Sequence, residues 1–540
     1  DGWTDLEDAH GTATFLNQGF TATLERARLN GLAASEGEVG LPDYRDAVLS
    51  VRARTRGDVR DALTFVQRAP IGPKLGGWFM RVQGRGALDA RVTLELPFRR
   101  MPDRLVEVDA RIERASARLP SLDDDARIAA AAFRLRNRDV DVSAVSGTLL
   151  GGAFRGRAST VAGARGERVL EVVAEGRATG AKIQPLIGIT DGTWLDGAVD
   201  WSATARIPRL EWRPDPLPLA RDAPPDAQPA PREAEIRWLP MTIRGESTLA
   251  GLAVRLPAPL AKAAEETQAF RGEFTIDPGI DADAPVPPAT LREREAPRPT
   301  TMTARLQAGR DAAVLAWRRG EAWTFERGTA RFGGGAPALR DGRGLWIEGR
   351  VAEFDLSEWL RVKLTAGAAA AAAPDATTPT GVNAFLRGGA LTAARFAVLG
   401  YAFPDVELQV DNRDGAWRAS VDGPAAHGSI VVPWRLAAGE PLVLDLDRLV
   451  LGPRAAVPVT SAAEDPTDPR DVPALRLTVR NLEVQKRRFG SLEATVARVP
   501  DGLRLERGTL TGASFAVQGT GSWTTGSQGT VTRLTAEAKS

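Results

Sequence analysis

Strict alternation of apolar and polar residues is the feature that most constrains the fold of this chain. In RLVEVDARIE, at 104 to 113, apolar residues occupy one phase and charged residues occupy most of the other. Successive side chains of a β-strand point to opposite faces, so this pattern is typical of a strand with one buried face. LVLDLD at 442 to 447 and RLTVR at 476 to 480 repeat it.

Such strands recur about every 8 to 15 residues and are separated by glycine turns, including Asn30-Gly31, Asp341-Gly342 and Asp501-Gly502. The pattern predicts a mainly β fold with roughly 30 to 40 strands, more than a flat open sheet holds. We expect a long curled antiparallel sheet that forms an elongated, taco-like or solenoid-like groove, about 150 to 190 Å long if all strands pair in sequence.

One phase of each alternating strand is apolar, and that phase should line the groove. A continuous apolar face with few helices to cover it implies an apolar occupant. The candidate groove residues from the three strands are Val106, Val108, Ile112, Leu442, Leu444, Leu446, Leu477 and Val479.

The chain is interpreted as one repetitive β-rich region over residues 1–540. Strands of the same character resume after each of four stretches rich in Pro, Ala or acidic residues, so these stretches are predicted to be loop insertions in a continuous sheet. The insertions span 213–232, 277–300, 366–380 and 453–473. We expect both ends to be cut from a longer protein.

Three segments carry helical signals. Residues 58–68 place apolar side chains on one helical face, and residues 355–360 begin with Asp355 as a plausible N-cap. Residues 257–268 begin with a proline near the first turn of a predicted helix. Each helix is expected to be a short plug packed on the sheet.

The composition argues against nucleic acid as a partner and against most catalytic chemistry. Seventy basic residues oppose 69 acidic residues, so no general polyanion-binding field builds up. The chain has no cysteine and only two histidines, His10 and His427, which leaves little material for metal sites or nucleophilic triads. We therefore predict a non-enzymatic protein with no catalytic residues, no cofactor and no metal.

Thirteen tryptophans against two tyrosines are the one unusual aromatic feature. Most of these tryptophans fall in or beside predicted strands, where packing on the core or groove is the simpler role. Stacking against sugars is the alternative. It would make the chain a glycan-binding β-solenoid.

Several motifs resemble those of YhdP-family AsmA-like proteins. They are LAGLAVRLPAPLAKAAEE at 249 to 266, WIEGRVAEFDLSEWL at 346 to 360 and the LLGG unit at 149 to 152. The resemblance covers nearly the whole chain and implies a protein held in the inner membrane by an N-terminal helix that lies outside this sequence. It also implies a periplasmic protein that supplies phospholipid to the outer membrane and supports its permeability barrier.

These observations together predict a passive, bridge-like conduit for phospholipid acyl chains between the two membranes. The membranes would be reached through the missing terminal parts, and protein partners stay unknown. A scaffold that assists the assembly of outer-membrane proteins is the first alternative, and the glycan-binding solenoid is the second.

Overall fold

A computed structural model describes most of the chain. The described residues are 6–68, 82–100, 103–118, 125–164, 166–187, 193–212, 235–279, 299–320, 323–361, 385–398, 400–434, 440–453, 469–470, 472–526 and 529–539. Within these ranges no helix is long and apolar enough to cross a membrane.

Twenty-nine strands, three α-helices and one 3-10 helix (Gln184–Ile187) make up the described fold. The first half contains β1 (Leu6–Leu16), β2 (Gly19–Leu29), β3 (Leu32–Leu41), β4 (Val48–Asp58), α1 (Val59–Arg68), β5 (Gln83–Pro97), β6 (Leu105–Arg118), β7 (Asp125–Arg136), β8 (Asp139–Leu149), β9 (Gly152–Ala162), β10 (Arg168–Thr179), α2 (Gly180–Ile183), β11 (Leu195–Trp212), β12 (Glu235–Trp238), β13 (Met241–Ser247), β14 (Leu252–Val254) and β15 (Phe270–Asp277). The second half contains β16 (Thr301–Ala308), β17 (Asp311–Arg319), β18 (Trp323–Phe332), β19 (Gly344–Asp355), α3 (Leu356–Arg361), β20 (Leu386–Val398), β21 (Tyr401–Arg413), β22 (Ala416–Asp422), β23 (Ala426–Pro433), β24 (Leu442–Leu451), β25 (Leu475–Val484), β26 (Arg487–Val499), β27 (Gly502–Thr511), β28 (Ala516–Gly526) and β29 (Gly529–Lys539).

All 29 strands belong to one sheet, and outside β12 to β14 each strand pairs with its neighbours in chain order. The strands β12, β13 and β14 lie end to end against the long strand β11, so the 29 strands form 27 rungs. At the usual strand spacing this ladder has a contour of about 125 Å. The predicted mainly β fold with one long open sheet is confirmed, with slightly fewer strands and a shorter contour than expected.

The sheet is mixed where a purely antiparallel sheet was expected. The junctions β18–β19, β19–β20 and β24–β25 are parallel. A parallel junction needs a crossover from one edge of the sheet to the other, and residues 333–343 make the first of these. Asp341-Gly342 therefore lies in a crossover, whereas Asn30-Gly31 and Asp501-Gly502 turn hairpins.

The three α-helices follow β4, β10 and β19, which all end at the same edge of the sheet, called here the helix edge. The predictions for 58–68 and 355–360 are confirmed. Asp58 accepts a hydrogen bond from the amide of Arg60 at 2.7 Å, and Asp355 accepts from that of Ser357 at 2.8 Å.

The predicted helix at 257–268 is wrong. The chain instead doubles back, and the amide of Lys262 and the carbonyl of Val254 form an isolated bridge at 3.1 Å. Hydrogen bonding to Val254 replaces the bonds that an α-helix would need at Lys262.

At all four predicted insertions the ladder continues, because the strands on either side pair directly with each other. For the insertion at 277–300, Asp277 of β15 is opposite Thr301 of β16. The bulk of the insertions at 213–232, 277–300, 366–380 and 453–473 lies outside the described residues. The edge opposite the helix edge, where β15 ends and β16 begins, is called here the turn edge.

Candidate apolar groove

The two faces of the sheet differ in character, as β6 shows. On β6, Val106, Val108, Ala110 and Ile112 lie on one face and are buried or half-buried, while Asp109 on the other is exposed. Because the side chains alternate, strand pairing in register places all apolar phases on the same side. We call this side the apolar face and the opposite side the charged face.

Cross-strand partners trace the apolar face without interruption from β2 to β29. A first row of directly paired residues runs from β2 to β18 through Ala27, Ala34, Thr55, Ala90, Ala110, Phe133, Val142, Ala158, Val172, Ala205, Ile243, Phe274, Ala304, Leu315 and Gly328. A second row continues from β18 to β29 through Phe332, Gly349, Leu391, Leu408, Val421, Gly428, Leu446, Val479, Leu492, Leu510, Val517 and Ala538. Thr55 is the one polar side chain in either row, so the apolar face is continuous along these two rows.

The charged face carries cross-strand pairs of arginine and carboxylate. Arg134 on β7 donates to Asp109 on β6 at 2.7 Å, and Arg244 on β13 donates to Glu273 on β15 at 2.8 Å. Exposed pairs of this kind contribute about 0.2 to 1 kcal/mol each, so their main effect is to keep this face solvated and in register. They account for the near-equal numbers of acidic and basic residues.

The predicted groove residues of β6 lie on the apolar face as expected. Val106, Val108 and Ile112 are half-buried and pair with Leu94, Val92 and Leu88 of β5. Sixteen strand junctions separate β6 from β24, which is about 75 Å along the ladder. The structure therefore does not bring all the predicted residues into one site.

The five predicted residues of β24 and β25 form one cluster across a parallel junction. Leu442, Leu444 and Leu477 are half-buried, whereas Leu446 is 5% exposed and Val479 is 0% exposed. Leu444 is opposite Leu477, and Leu446 is opposite Val479. Leu446 and Val479 consequently form the packed floor, and the three half-buried leucines form the solvent-accessible part of this apolar surface.

Nothing in the described part of the chain forms a second sheet over the apolar face, since every strand there belongs to the same sheet. The helices cover only its helix edge. A Cβ atom placed on Gly84 of β5 would lie 3.2 Å from methyl groups of Val59 and Leu63, which shows α1 packed on the apolar side. Among the described residues the apolar face is therefore left uncovered between its edges, and this face is called here the groove.

Large aromatic side chains concentrate in the middle of the groove, a feature that periodicity did not predict. Near the helix edge, Phe354 stacks on Phe396 at 6.2 Å between ring centroids, and Phe403 follows at 6.4 Å. Near the turn edge, the rings of Trp317 and Phe325 lie 5.8 Å apart. Both edges of this stretch are thus lined by bulky rings, unlike the alanine-rich rungs before it.

A polar depression of about 520 Å³ lies on the charged face, away from the groove. In it, His427 Nδ1 is 3.0 Å from Asp447 Oδ2, and Arg480 donates to both Asp445 and Asp447. Among the residues that the structure describes, no group of three or more His, Asp or Glu side chains could hold a metal ion. The depression is explained by its network of cross-strand ion pairs.

The motif at 249 to 266 builds a buried cation into the helix edge. Lys262 is 7% exposed, and its ammonium group donates hydrogen bonds to the carbonyl oxygens of Leu249, Leu252 and Ala263 at 2.8 to 2.9 Å. All three donor positions of the ammonium are used, so the charge is satisfied inside the loop. The motif lysine has a structural role.

The glycine of the motif at 346 to 360 is also structural. Gly349 has φ +118°, and a Cβ atom on it would lie 2.1 Å from the carbonyl oxygen of Phe332 across the parallel junction. Any side chain would push β18 and β19 apart. The motif thus marks a place where two strands need close backbone approach.

The fold defines a class: an open, single-sheet β-protein with one apolar face along its ladder of strands. A family model described as YhdP protein matches residues 1–540, and the chain belongs to the YhdP family. The resemblance carried by the motifs is confirmed. No curated protein and no solved structure matches the chain.

Proposed function

We propose that this chain is the periplasmic, non-enzymatic part of a bridge that carries phospholipid between the inner and outer membranes of a Gram-negative cell. The acyl chains would lie in the groove and the protein would support the permeability barrier of the outer membrane. The observation that carries the proposal is the uninterrupted apolar row from β2 to β29.

Burial of each acyl methylene in such a groove contributes roughly 0.8 kcal/mol, so a lipid can be held without a specific polar contact. Successive rungs offer a similar apolar surface at a spacing of about 4.8 Å. A lipid moving by one rung therefore exchanges one set of aliphatic contacts for another of similar free energy. This favours passive movement along the ladder.

The test is lipid capture by photocrosslinking amino acids at Val108 and Leu444, on this chain expressed in a bacterial periplasm, with native mass spectrometry of the extracted lipid. Matched controls at Glu107 and Val443 place the same group on the charged face, one residue away. Val443 is itself apolar, so this control separates the face of the sheet from local hydrophobicity.

We expect phospholipid at Val108 and Leu444 and none at Glu107 and Val443. Empty protein at all four positions would overturn the proposal and favour the scaffold for outer-membrane proteins. Capture of glycan in place of lipid would favour the solenoid alternative.

A further inference from the structure

A hydrogen bond joins two parts of the helix edge that are far apart along the ladder. The indole Nε1 of Trp359 on α3 donates to the carbonyl oxygen of Ala258 at 2.8 Å, across 101 residues of sequence. Ala258 lies in the loop that follows β14, whereas α3 follows β19. The strands β15, β16, β17 and β18 stand between them.

The α3 end of this contact is anchored on the apolar face. Leu356 packs against the buried cluster that contains Val351 and Phe396, and the ring of Trp359 stacks on Phe354 at 6.3 Å. Asp355 fixes the start of the helix through the amides of Ser357 and Glu358. α3 is therefore held over the groove and is not free to swing outward.

The loop end is anchored on the same face. Leu249 and Leu252 belong to a cluster with Ala178 and Val199, which lie on the apolar side of β10 and β11. Lys262 ties the loop to this cluster through the carbonyl oxygens of Leu249 and Leu252. The segment that carries Ala258 is thus fixed at its base.

Five strand junctions separate the rung of β13 and β14 from β19, a distance of about 24 Å along the ladder. Two anchored elements on the same face meet over this interval. Their contact therefore spans β15 to β18 on the groove side, at the helix edge. We call this contact, made by Ala258 and Trp359 with their supporting clusters, the bridge.

We propose that the bridge closes this stretch of the groove into a covered passage that admits straight acyl chains and excludes lipids with a bulky ring on the chain. The inference rests on the proposed function. The rings of Trp317 and Phe325 line the turn edge of this stretch, and those of Phe354 and Phe396 line the helix edge directly after it, on β19 and β20, so that both pairs reduce the free width. The groove thus has two open halves joined by a selective middle.

The test compares two tryptophan variants of the full chain. Trp359→Phe keeps an aromatic ring and removes the indole N–H that makes the bridge. Trp346→Phe is the matched control, because Trp346 lies on the charged face under Arg340 and its Nε1 has no hydrogen-bond partner among the described residues. Both variants carry photocrosslinkers at Val108 and at Leu444, which lie on opposite sides of the bridge.

The chain is docked by an N-terminal histidine tag on nickel-chelating vesicles of palmitoyl-oleoyl phosphatidylglycerol, so that lipid enters at the β1 end. A second preparation contains the same lipid with a pyrene group on one acyl chain. In the wild type we expect the straight-chain lipid at both positions and the pyrene lipid at Val108 with little at Leu444. Trp359→Phe should raise pyrene-lipid capture at Leu444 about fivefold, because loss of one hydrogen bond shifts the equilibrium between the closed and open bridge by about that factor.

Three results would overturn the bridge as a selective passage while leaving lipid carriage intact. They are equal capture of both lipids at Leu444 in the wild type, exclusion of the pyrene lipid already at Val108, and identical behaviour of the two tryptophan variants. Absence of any lipid at either position would overturn the proposed function and this inference together.

Discussion

The ammonium group of Lys262 donates a hydrogen bond to the carbonyl oxygen of Leu252 at 2.9 Å, at a site where the lysine is 7% exposed. Leu252 belongs to the apolar cluster beneath β10 and β11. One side chain therefore connects the loop that carries Ala258 to the body of the sheet. A buried lysine is costly unless its donors are satisfied, and here backbone carbonyls satisfy them.

Lys262→Met is expected to loosen this loop. Three carbonyl oxygens lose a charged donor, which should lower the free energy of local opening by about 2 to 4 kcal/mol. Hydrogen exchange over residues 249–264 measures the change. Lys486→Met, at an exposed turn between β25 and β26, is the matched control and should leave this exchange unchanged. Equal protection in both variants would contradict the structural role of Lys262.

Asp355→Ala should weaken α3 and, through it, the bridge. The carboxylate accepts hydrogen bonds from two helix amides, and loss of such a cap costs about 1 kcal/mol. We expect faster exchange at residues 356–359 and a shift of the Trp359 fluorescence towards that of solvated indole. Asp58→Ala removes the corresponding cap of α1 and is the control, because it should leave α3 unchanged. If both variants changed the Trp359 fluorescence, a local role of Asp355 in capping α3 would be refuted.

Val479→Ala should destabilise the packed floor of the groove. Val479 is 0% exposed between Leu446 and Leu492, so truncation leaves a cavity that costs about 2 kcal/mol. Hydrogen exchange of β24, β25 and β26 reports the loss. Val443→Ala removes the same atoms on the charged face of β24 and should cost clearly less. If Val443→Ala lowered the exchange protection more than Val479→Ala, the buried core would lie on the face that is called charged here.

Acid should selectively loosen the junction between β4 and β5. Hydrogen bonds from Arg54, and then from Arg56, hold the pKa of the Asp89 carboxyl well below its usual range. Because the pKa of Asp89 is depressed in the folded state, the stabilising effect of the ionised carboxylate is complete at pH values above the unfolded-state pKa of about 4. This stabilising effect is lost progressively as the pH falls below that value.

When the pH is lowered below about 4, the exchange protection of β4 and β5 should therefore decrease in the wild type. Over the same pH range it should change less in Asp89→Asn. Asp46→Asn, at an exposed turn before β4, should behave as the wild type. A wild-type response identical to that of Asp89→Asn would show that this carboxylate does not stabilise the junction.

Alternation of side chains was enough to predict the sheet and the face that each strand buries. Leu444 and Leu477 lie on that face as their phase requires. The same alternation is compatible with parallel and antiparallel pairing, so it could not predict that β24 and β25 run side by side in the same direction. The prediction of a helix at 257–268 was wrong because the spacing of apolar residues carries no information on which carbonyl groups accept hydrogen bonds from the Lys262 ammonium.

The apolar phase of a strand could be predicted from the sequence, but the burial of each position could not. The alternation of side chains places Leu444 and Leu446 on the same face of β24. Leu446 is nevertheless buried and Leu444 is half-buried, because burial depends on how neighbouring side chains pack over each position. The contact of Trp359 with Ala258 is a tertiary contact across five strand junctions, which no local pattern encodes. The presence of both residues in family-like motifs was the only signal in the sequence.

The strands run across the long axis of the ladder, which gives the molecule an unusual response to tension. A pull between the two ends is transmitted through each junction in series, so hydrogen bonds between strands carry the load. Rupture of the junction between β28 and β29 would release only β29, because β28 still pairs with β27; this strand of 11 residues gives about 36 Å of extended chain. A chain of this design yields by releasing one strand at a time, long before its covalent backbone is strained.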